Sequence, residues 1–352
     1  MSGAADAIVA VVLVACSVAE GQMRSGATQP AESPAVAWLT TGEFKWTVSK
    51  PLIGPASRPA NPCHAIKDPS VVRYDGKWHL FCTIRSRKPT HQIEHLSFVD
   101  WSTADKAERH VLDLGVNFFC APQVFYFAPQ KKWYLVYQAS DESWQPKYQP
   151  AFSMTENIAE PASWSKAQPL GARQGGAKAW LDFWVICDDR KAHLFFTSLD
   201  GHMWRSETEL ADFPHGWSEP KAALKGDVFE ASHTYLLKGL GKYLTVIEAE
   251  NKTDRNRRYY KAYMADRLDG EWKPLAATKD KPFASPVNTK DTGEHWTDSF
   301  SHVELLRAGH DQRLEVDPAD LRVLFQGVTD ELRLGKGYGD IPWRFGILTP
   351  AQ

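Results

Sequence analysis

Three carboxylates, an amide and an imidazole stand at the heads of five short strand-like runs: Asp68, Gln123, Asp182, Glu230 and His302. Asp68 precedes Trp78 of GKWHLF by ten positions, and Gln123 precedes Trp133 of KKWYLV by ten. The same spacing separates Asp182 from Ala192 of KAHLFF and His302 from Gln312 of DQRLEV. Glu230 needs thirteen positions to reach Tyr243 of GKYLTV, across the longer turn KGLGK. A carboxylate at the start of an apolar strand is costly to bury unless it is paired or used. Three of them around one axis repel, and at least one pKa must rise. Carboxylates with divergent pKa values are what glycoside hydrolysis requires, one protonated to release the leaving group and one ionised to act on water or sugar.

Equivalent residues can meet only if a repeated element brings them together. The five positions are separated by 48 to 72 residues, which suits four-stranded propeller blades with loop insertions. In a five-bladed β-propeller the innermost strands line a central channel and one residue from each faces it. A two-sheet sandwich would spread those positions over two faces. VVRYDGKWHLF reads as strand, Asp75-Gly76 turn and strand, and HLFFTSLDGHMWRS repeats the pattern around Asp200-Gly201. Sustained helical periodicity is absent, so the class is all-β. FKWTV (44–48) beside WRFGILT (343–349) would close the ring.

The bulk composition excludes several functions. A formal charge of −2 gives no electrostatic case for nucleic acid or an anionic membrane, and the densest basic patch, Arg255 to Arg258, is broken by Asn256. Hydrophobic content of 43% and charged content of 24% are those of a globular protein. Aromatics are plentiful, with 14 Trp, 17 Phe and 11 Tyr. Flat rings suit the C–H faces of sugars, although most of them are expected in the sheet core. Phosphate-loop, nucleophile-elbow and zincin motifs are missing from the sequence.

Ala7 to Ala15 is an apolar run of signal-peptide length, too short to span a bilayer. Leu13-Val14-Ala15-Cys16 resembles a lipobox and Ser17-Val18-Ala19 an ordinary peptidase site, while Asp6 stands where a basic residue is usual. Residues 1–19 are therefore read as an export signal, 20–40 as a linker rich in Gly, Pro, Ser and Ala, and 41–352 as one domain. The protein is expected to be secreted or held at the cell surface, and monomeric. Cys63, Cys82, Cys120 and Cys187 form no C-x-x-C pair, and four cysteines allow three disulfide pairings. Cys82 and Cys187, in apolar strand runs, read as buried thiols.

The segments IKDPSVVRYDGKWHLF, APQVFYFAPQKKWYLVYQ, WLDFWVICDD, FEASHTYLLKG and WTDSFSHVELLR together resemble glycoside hydrolase family 62 from about Phe44 to Thr349. The resemblance implies an inverting α-L-arabinofuranosidase of the five-bladed class, acting on arabinoxylan. It assigns Asp68 in KDP as general base, Glu230 in FEAS as general acid, and Asp182 in WLDFW as the group that orients the acid, keeps its pKa high and holds arabinose. Lys67, Trp180 and Tyr338 become candidate sugar contacts, as do Glu248, Arg258 and, from the repeat, Gln123. His302 matches a histidine near the channel centre where the family often holds calcium, largely through water. Gly339 and Trp343 stand where the family usually has Asn and a second Tyr, Cys120 replaces a small residue, and NPCHAIKDP is an unusual lead-in to the base. Two rival readings are a family 43-type hydrolase acting on arabinan or xylose linkages, and a sugar-binding propeller without turnover.

Overall fold

A computed structural model describes residues 34–351. The export signal, its lipobox and linker residues 20–33 lie outside the described residues. The last part of the segment read as linker is not extended: Pro34–Thr41 is a helix that buries Trp38 and Leu39. Trp38 packs edge-on against Phe44 and Trp46. Its apolar residues, masked in the sequence by small and polar neighbours, make this stretch part of the domain.

Five sheets, antiparallel except for a short parallel edge pair in two of them, are arranged as a five-bladed β-propeller. Their inner strands are Ala65–Tyr74, Phe118–Phe127, Leu181–Cys187, Glu230–Leu237 and Ser299–Leu305, blades 1 to 5 in chain order. Each inner strand packs against the next and the fifth returns to the first. These strands are buried along nearly their whole length, polar residues such as Ser70, Thr234 and Glu304 included. The ring closes as the sequence implies. Trp46–Val48 pairs antiparallel with Arg344–Pro350, so blade 5 is built from both ends of the domain.

DQRLEV is not the second strand of a blade 5 hairpin. That strand is Val323–Val328, and residues 306–317 instead cross the base of the channel. Their carbonyls accept from Tyr126 N (2.8 Å), Cys187 N (2.8 Å) and Lys238 N (3.0 Å), on three successive blades. Arg307, fully buried, donates to the carbonyls of Val71 (2.7 Å) and Val124 (2.9 Å) and to Glu304 (2.9 Å). One end of the channel is thereby sealed, and only the other can admit a ligand. Cys63, Cys82, Cys120 and Cys187 are all free thiols.

Candidate active site

Every inner strand carries a β-bulge, and every bulge places one non-glycine residue in the left-handed region. These are Asp68 (φ 52°), Ala121 (φ 50°), Asp182 (φ 56°), Ala231 (φ 55°) and His302 (φ 41°). The strand registers slip at these same points. Such backbone costs on the order of 1–3 kcal/mol per residue and needs support. Here the neighbouring blade supplies it. The amide of Asp68 donates to Gln326 (2.7 Å), Ala121 to Thr83 (2.8 Å), Asp182 to Gln138 (2.7 Å), Ala231 to Asp182 (3.1 Å) and His302 to Glu248 (2.9 Å). Each acceptor belongs to the preceding blade, so five bonds run once around the axis. A bulge turns its residue out of the pleat, which is how successive strands aim polar groups at one point.

This ring corrects the repeat read from sequence. The position equivalent to Asp68, Asp182 and His302 is Ala121 in blade 2, not Gln123. Gln123 lies two residues deeper, fully buried, where its amide bridges to Val185 by donating to the carbonyl and accepting from the N–H (2.7 Å each). In blade 4 the bulge residue is Ala231, and Glu230 precedes it. Lys67, Cys120 and Leu181 hold the same pre-bulge position in blades 1 to 3, and with Glu230 they line the pocket wall.

Asp68, Asp182, Glu230 and His302 converge at the floor of a cavity of about 500 Å3, with Lys67, Trp180 and Tyr338 on its sides. His302 Nε2 lies 3.4 Å from Asp68 Oδ1 and 3.3 Å from Asp182 Oδ1. Lys67 Nζ is 3.7 Å from Asp68 Oδ1 and donates to the Tyr338 hydroxyl (2.8 Å). Arg258 donates from one nitrogen to Glu230 (2.5 Å) and to Glu248.

These contacts push the carboxyls apart. Burial opposes the charge on Asp68, but Lys67 and His302 hold its pKa down to about 2. Burial raises Glu230, Arg258 pulls it back, and the charges of Glu248 and Asp182 add to the rise, leaving it at about 7. Lys67 stays charged despite burial, because Asp68, Tyr338 and Glu230 surround it. The imidazole of His302 is likewise held well above its usual pKa by Asp68 and Asp182.

Glu248 and Arg258 are not on the pocket wall where the sequence reading put them as sugar contacts. Glu248 is fully buried, and its oxygens accept from Arg258, Ser301 and the His302 amide. Arg258 faces Glu230 from behind. Trp343, at a variant position of the C-terminal motif, is buried with Ala65, Val328 and Ile341. Sequence reasoning missed His91, Phe118, Gln138 and Tyr148, which also line the cavity. Phe118 heads the blade 2 inner strand, Gln138 lies in its second strand, and His91 and Tyr148 head the third strands of blades 1 and 2; only Phe118 had a readable signal, through its closeness to the blade 2 bulge.

Two arrangements here bear on a metal. One oxygen each of Glu230 and Glu248 and a nitrogen of His302 lie within 4.8 Å of one another, but Arg258 already neutralises that group. Below it, Asp68, Asp182, His233 and His302 line a void of about 10 Å3. Asp68 Oδ1 and His302 Nε2 face one another at 3.4 Å without a hydrogen bond, whereas His302 Nδ1 lies on the Glu248 side, 3.4 Å from its carboxylate. The space fits one small ligand such as a water; a hard cation near it would rest on the carboxylate oxygens, with the imidazole deprotonated.

Residues 45–349 match the model of glycosyl hydrolase family 62. Alpha-L-arabinofuranosidase C of Cellvibrio japonicus is 38% identical over 314 residues, covering 87% of this chain and 47% of its own length. The chain thus spans about half of that relative. The catalytic domain of a Coprinopsis cinerea family 62 α-L-arabinofuranosidase superposes with a TM-score of 0.81 at 36% identity, covering 88% of this chain and 98% of its own. A family 62 hydrolase solved with xylotriose gives a TM-score of 0.80 at 33% identity, covering 89% and 99%. On its sequence and its fold alike, the chain belongs to glycosyl hydrolase family 62.

Proposed function

We propose that this protein releases α-L-arabinofuranosyl side chains from arabinoxylan by single displacement with inversion. The observation that carries the proposal is the split between two carboxyls in one pocket, Glu230 raised to about 7 and Asp68 lowered to about 2. At neutral or mildly acidic pH, Glu230 can give its proton to the xylan oxygen as the glycosidic bond breaks. Asp68, kept ionised by Lys67, takes a proton from the water that attacks the anomeric carbon on the opposite face. Asp182 maintains the charge that keeps Glu230 protonated and fixes the Ala231 amide beside it. Because the transition state resembles an oxocarbenium ion, the anionic floor also stabilises the charge that develops on the sugar. Lys67, Trp180 and Tyr338 would hold the arabinose.

The proposal includes a calcium ion near the channel centre. His302, its imidazole then neutral, would hold it largely through water, and its charge would offset the crowded carboxylates Asp68 and Asp182. The apolar N-terminal run supports action outside the cytoplasm, and a site built wholly from one chain suits a monomer.

Glu230→Gln and Asp68→Asn separate the roles. On arabinoxylan each should lower kcat by at least about 100-fold, the low end for general acid–base catalysis. On an aryl arabinofuranoside whose phenol leaves without protonation, Glu230→Gln should recover much of the rate and Asp68→Asn should not. Near-normal arabinose release from arabinoxylan by Glu230→Gln would remove Glu230 as the acid.

A further inference from the structure

The segment that carries Tyr338 is tied down at both ends. Upstream, Asp330 opens the helix Asp330–Arg333 and accepts from Arg255 (2.9 Å), Arg257 (2.6 Å) and Arg333 (2.8 Å). Downstream, Ile341 and Trp343 are buried against Ala65 and Val328. Between these anchors runs LGKGYGD, residues 334–340, with glycine at 335, 337 and 339 and with Leu334 and Tyr338 half-exposed. Three glycines in seven residues leave this backbone free to take other paths.

Yet Tyr338 needs one position. Its hydroxyl accepts from Lys67 Nζ at 2.8 Å and lies 3.5 Å from Glu230 Oε1. Its ring sits over the charges of Lys67 (4.4 Å) and Arg258 (5.1 Å). A shift of about an ångström would break the 2.8 Å bond from Lys67. Packing does not supply the restraint, since the residue is half-exposed.

Among the described residues, side-chain bonds to the backbone of 334–340 come from His64 and Arg85 alone, and both meet at the carbonyl of Gly339. His64 Nε2 lies 2.7 Å from that oxygen. A carbonyl oxygen can only accept, so this nitrogen carries the proton. Arg85 donates to the same oxygen from Nη2 (3.1 Å) and Nε (3.3 Å). The guanidinium is itself fixed by the Thr90 carbonyl (3.2 Å) and His91 Nδ1 (2.8 Å). A side chain at 339 would displace the latch, because a Cβ there would collide with Arg85 Nη2 and push the guanidinium aside. Glycine at 339, unusual for the family, therefore goes with the approach of Arg85.

We propose that Arg85 and His64 are positioning residues, whose joint hold on the Gly339 carbonyl sets Tyr338 against Lys67 and Glu230 and so against the bound sugar. For its kinetic consequences the inference rests on the hydrolase reading above, whereas the latch itself does not.

The test uses the full chain and a double-mutant cycle between Arg85→Ala and Tyr338→Phe. If Arg85 acts through Tyr338, each change alone lowers kcat/KM on arabinoxylan about tenfold, and the pair falls no more than about twofold below the worse single variant. In parallel, amide hydrogen exchange at 334–340 should quicken at least about fivefold in Arg85→Ala, with the blade 5 strands unchanged. Losses that multiply to about 100-fold, or exchange unaltered at 334–340, would overturn the proposal. If Arg85→Ala does not fold, Gly339→Ala probes the same latch by pushing Arg85 away, and must quicken exchange in the same segment. A wild-type protein that frees no arabinose defeats the hydrolase reading, while the exchange measurement still decides the latch.

Discussion

Replacing Lys67 with methionine keeps an unbranched side chain, one atom shorter, and deletes the cation beside Asp68. The two charges lie 3.7 Å apart with both side chains buried. At an effective dielectric of about 20, such a pair contributes roughly 4.5 kcal/mol, equivalent to about three pKa units. His302 Nε2 remains 3.4 Å away and compensates in part, so a rise of about two units is expected. The carboxyl of Asp68, held at about 2 in the wild type, should then titrate near pH 4. Because the base must be ionised to accept a proton, activity is lost on the acid side. The assay is initial-rate arabinose release from arabinoxylan after pH jumps from neutral stock. The acid limb of kcat/KM should move from below about pH 3 to about pH 4, with the alkaline limb in place. Lys67 also bonds Tyr338 and lines the cavity, so the overall rate will fall, but a lower plateau does not shift a limb. An acid limb that stays where the wild type has it would refute the electrostatic role given to Lys67.

Three further outcomes follow from the geometry. Burial depresses His79 to about 4 and His91, His95 and His233 to about 3; the unfolded chain therefore takes up protons first, and stability present above about pH 6.5 is lost as the pH falls toward 4. Tm measured from pH 7 to 4 should drop, more gently in His79→Phe, and parallel curves would count against this. Gln138→Leu strands the Asp182 amide at its strained bulge and should cost about 1–3 kcal/mol in denaturant unfolding, whereas an unchanged midpoint would mean the bulge needs no acceptor. Chelation should lower Tm by a few degrees if calcium sits at His302, and indifference to chelator would leave the protonated imidazole as the neutralising group.

Much of the fold was legible because it rests on local signals. Asp-Gly turns marked hairpins, short strand-like runs headed by a polar residue marked inner strands, and FKWTV and WRFGILT found each other across the chain. The errors came where turn length and register are set by neighbours. The hairpin of blade 2 turns through Ala128–Gln130, two residues longer than that of blade 1, so counting back ten from Trp133 reached Gln123 instead of Ala121. Nothing in Ala121 advertises a position equivalent to Asp68, since its strain is visible only in the backbone. DQRLEV has a strand's composition but closes the channel base, a role fixed by contacts with three other blades. Glu248 and Arg258 were placed in the correct region but one layer too near the sugar, because sequence reports charge and not depth.

The central claim is that Asp68 acts through water rather than by bonding to the sugar, while Glu230 delivers the proton. Proton NMR of the first arabinofuranose released from wheat arabinoxylan, recorded before mutarotation, tests it most directly. The account predicts that the β anomer forms first. Initial appearance of the α anomer would contradict it.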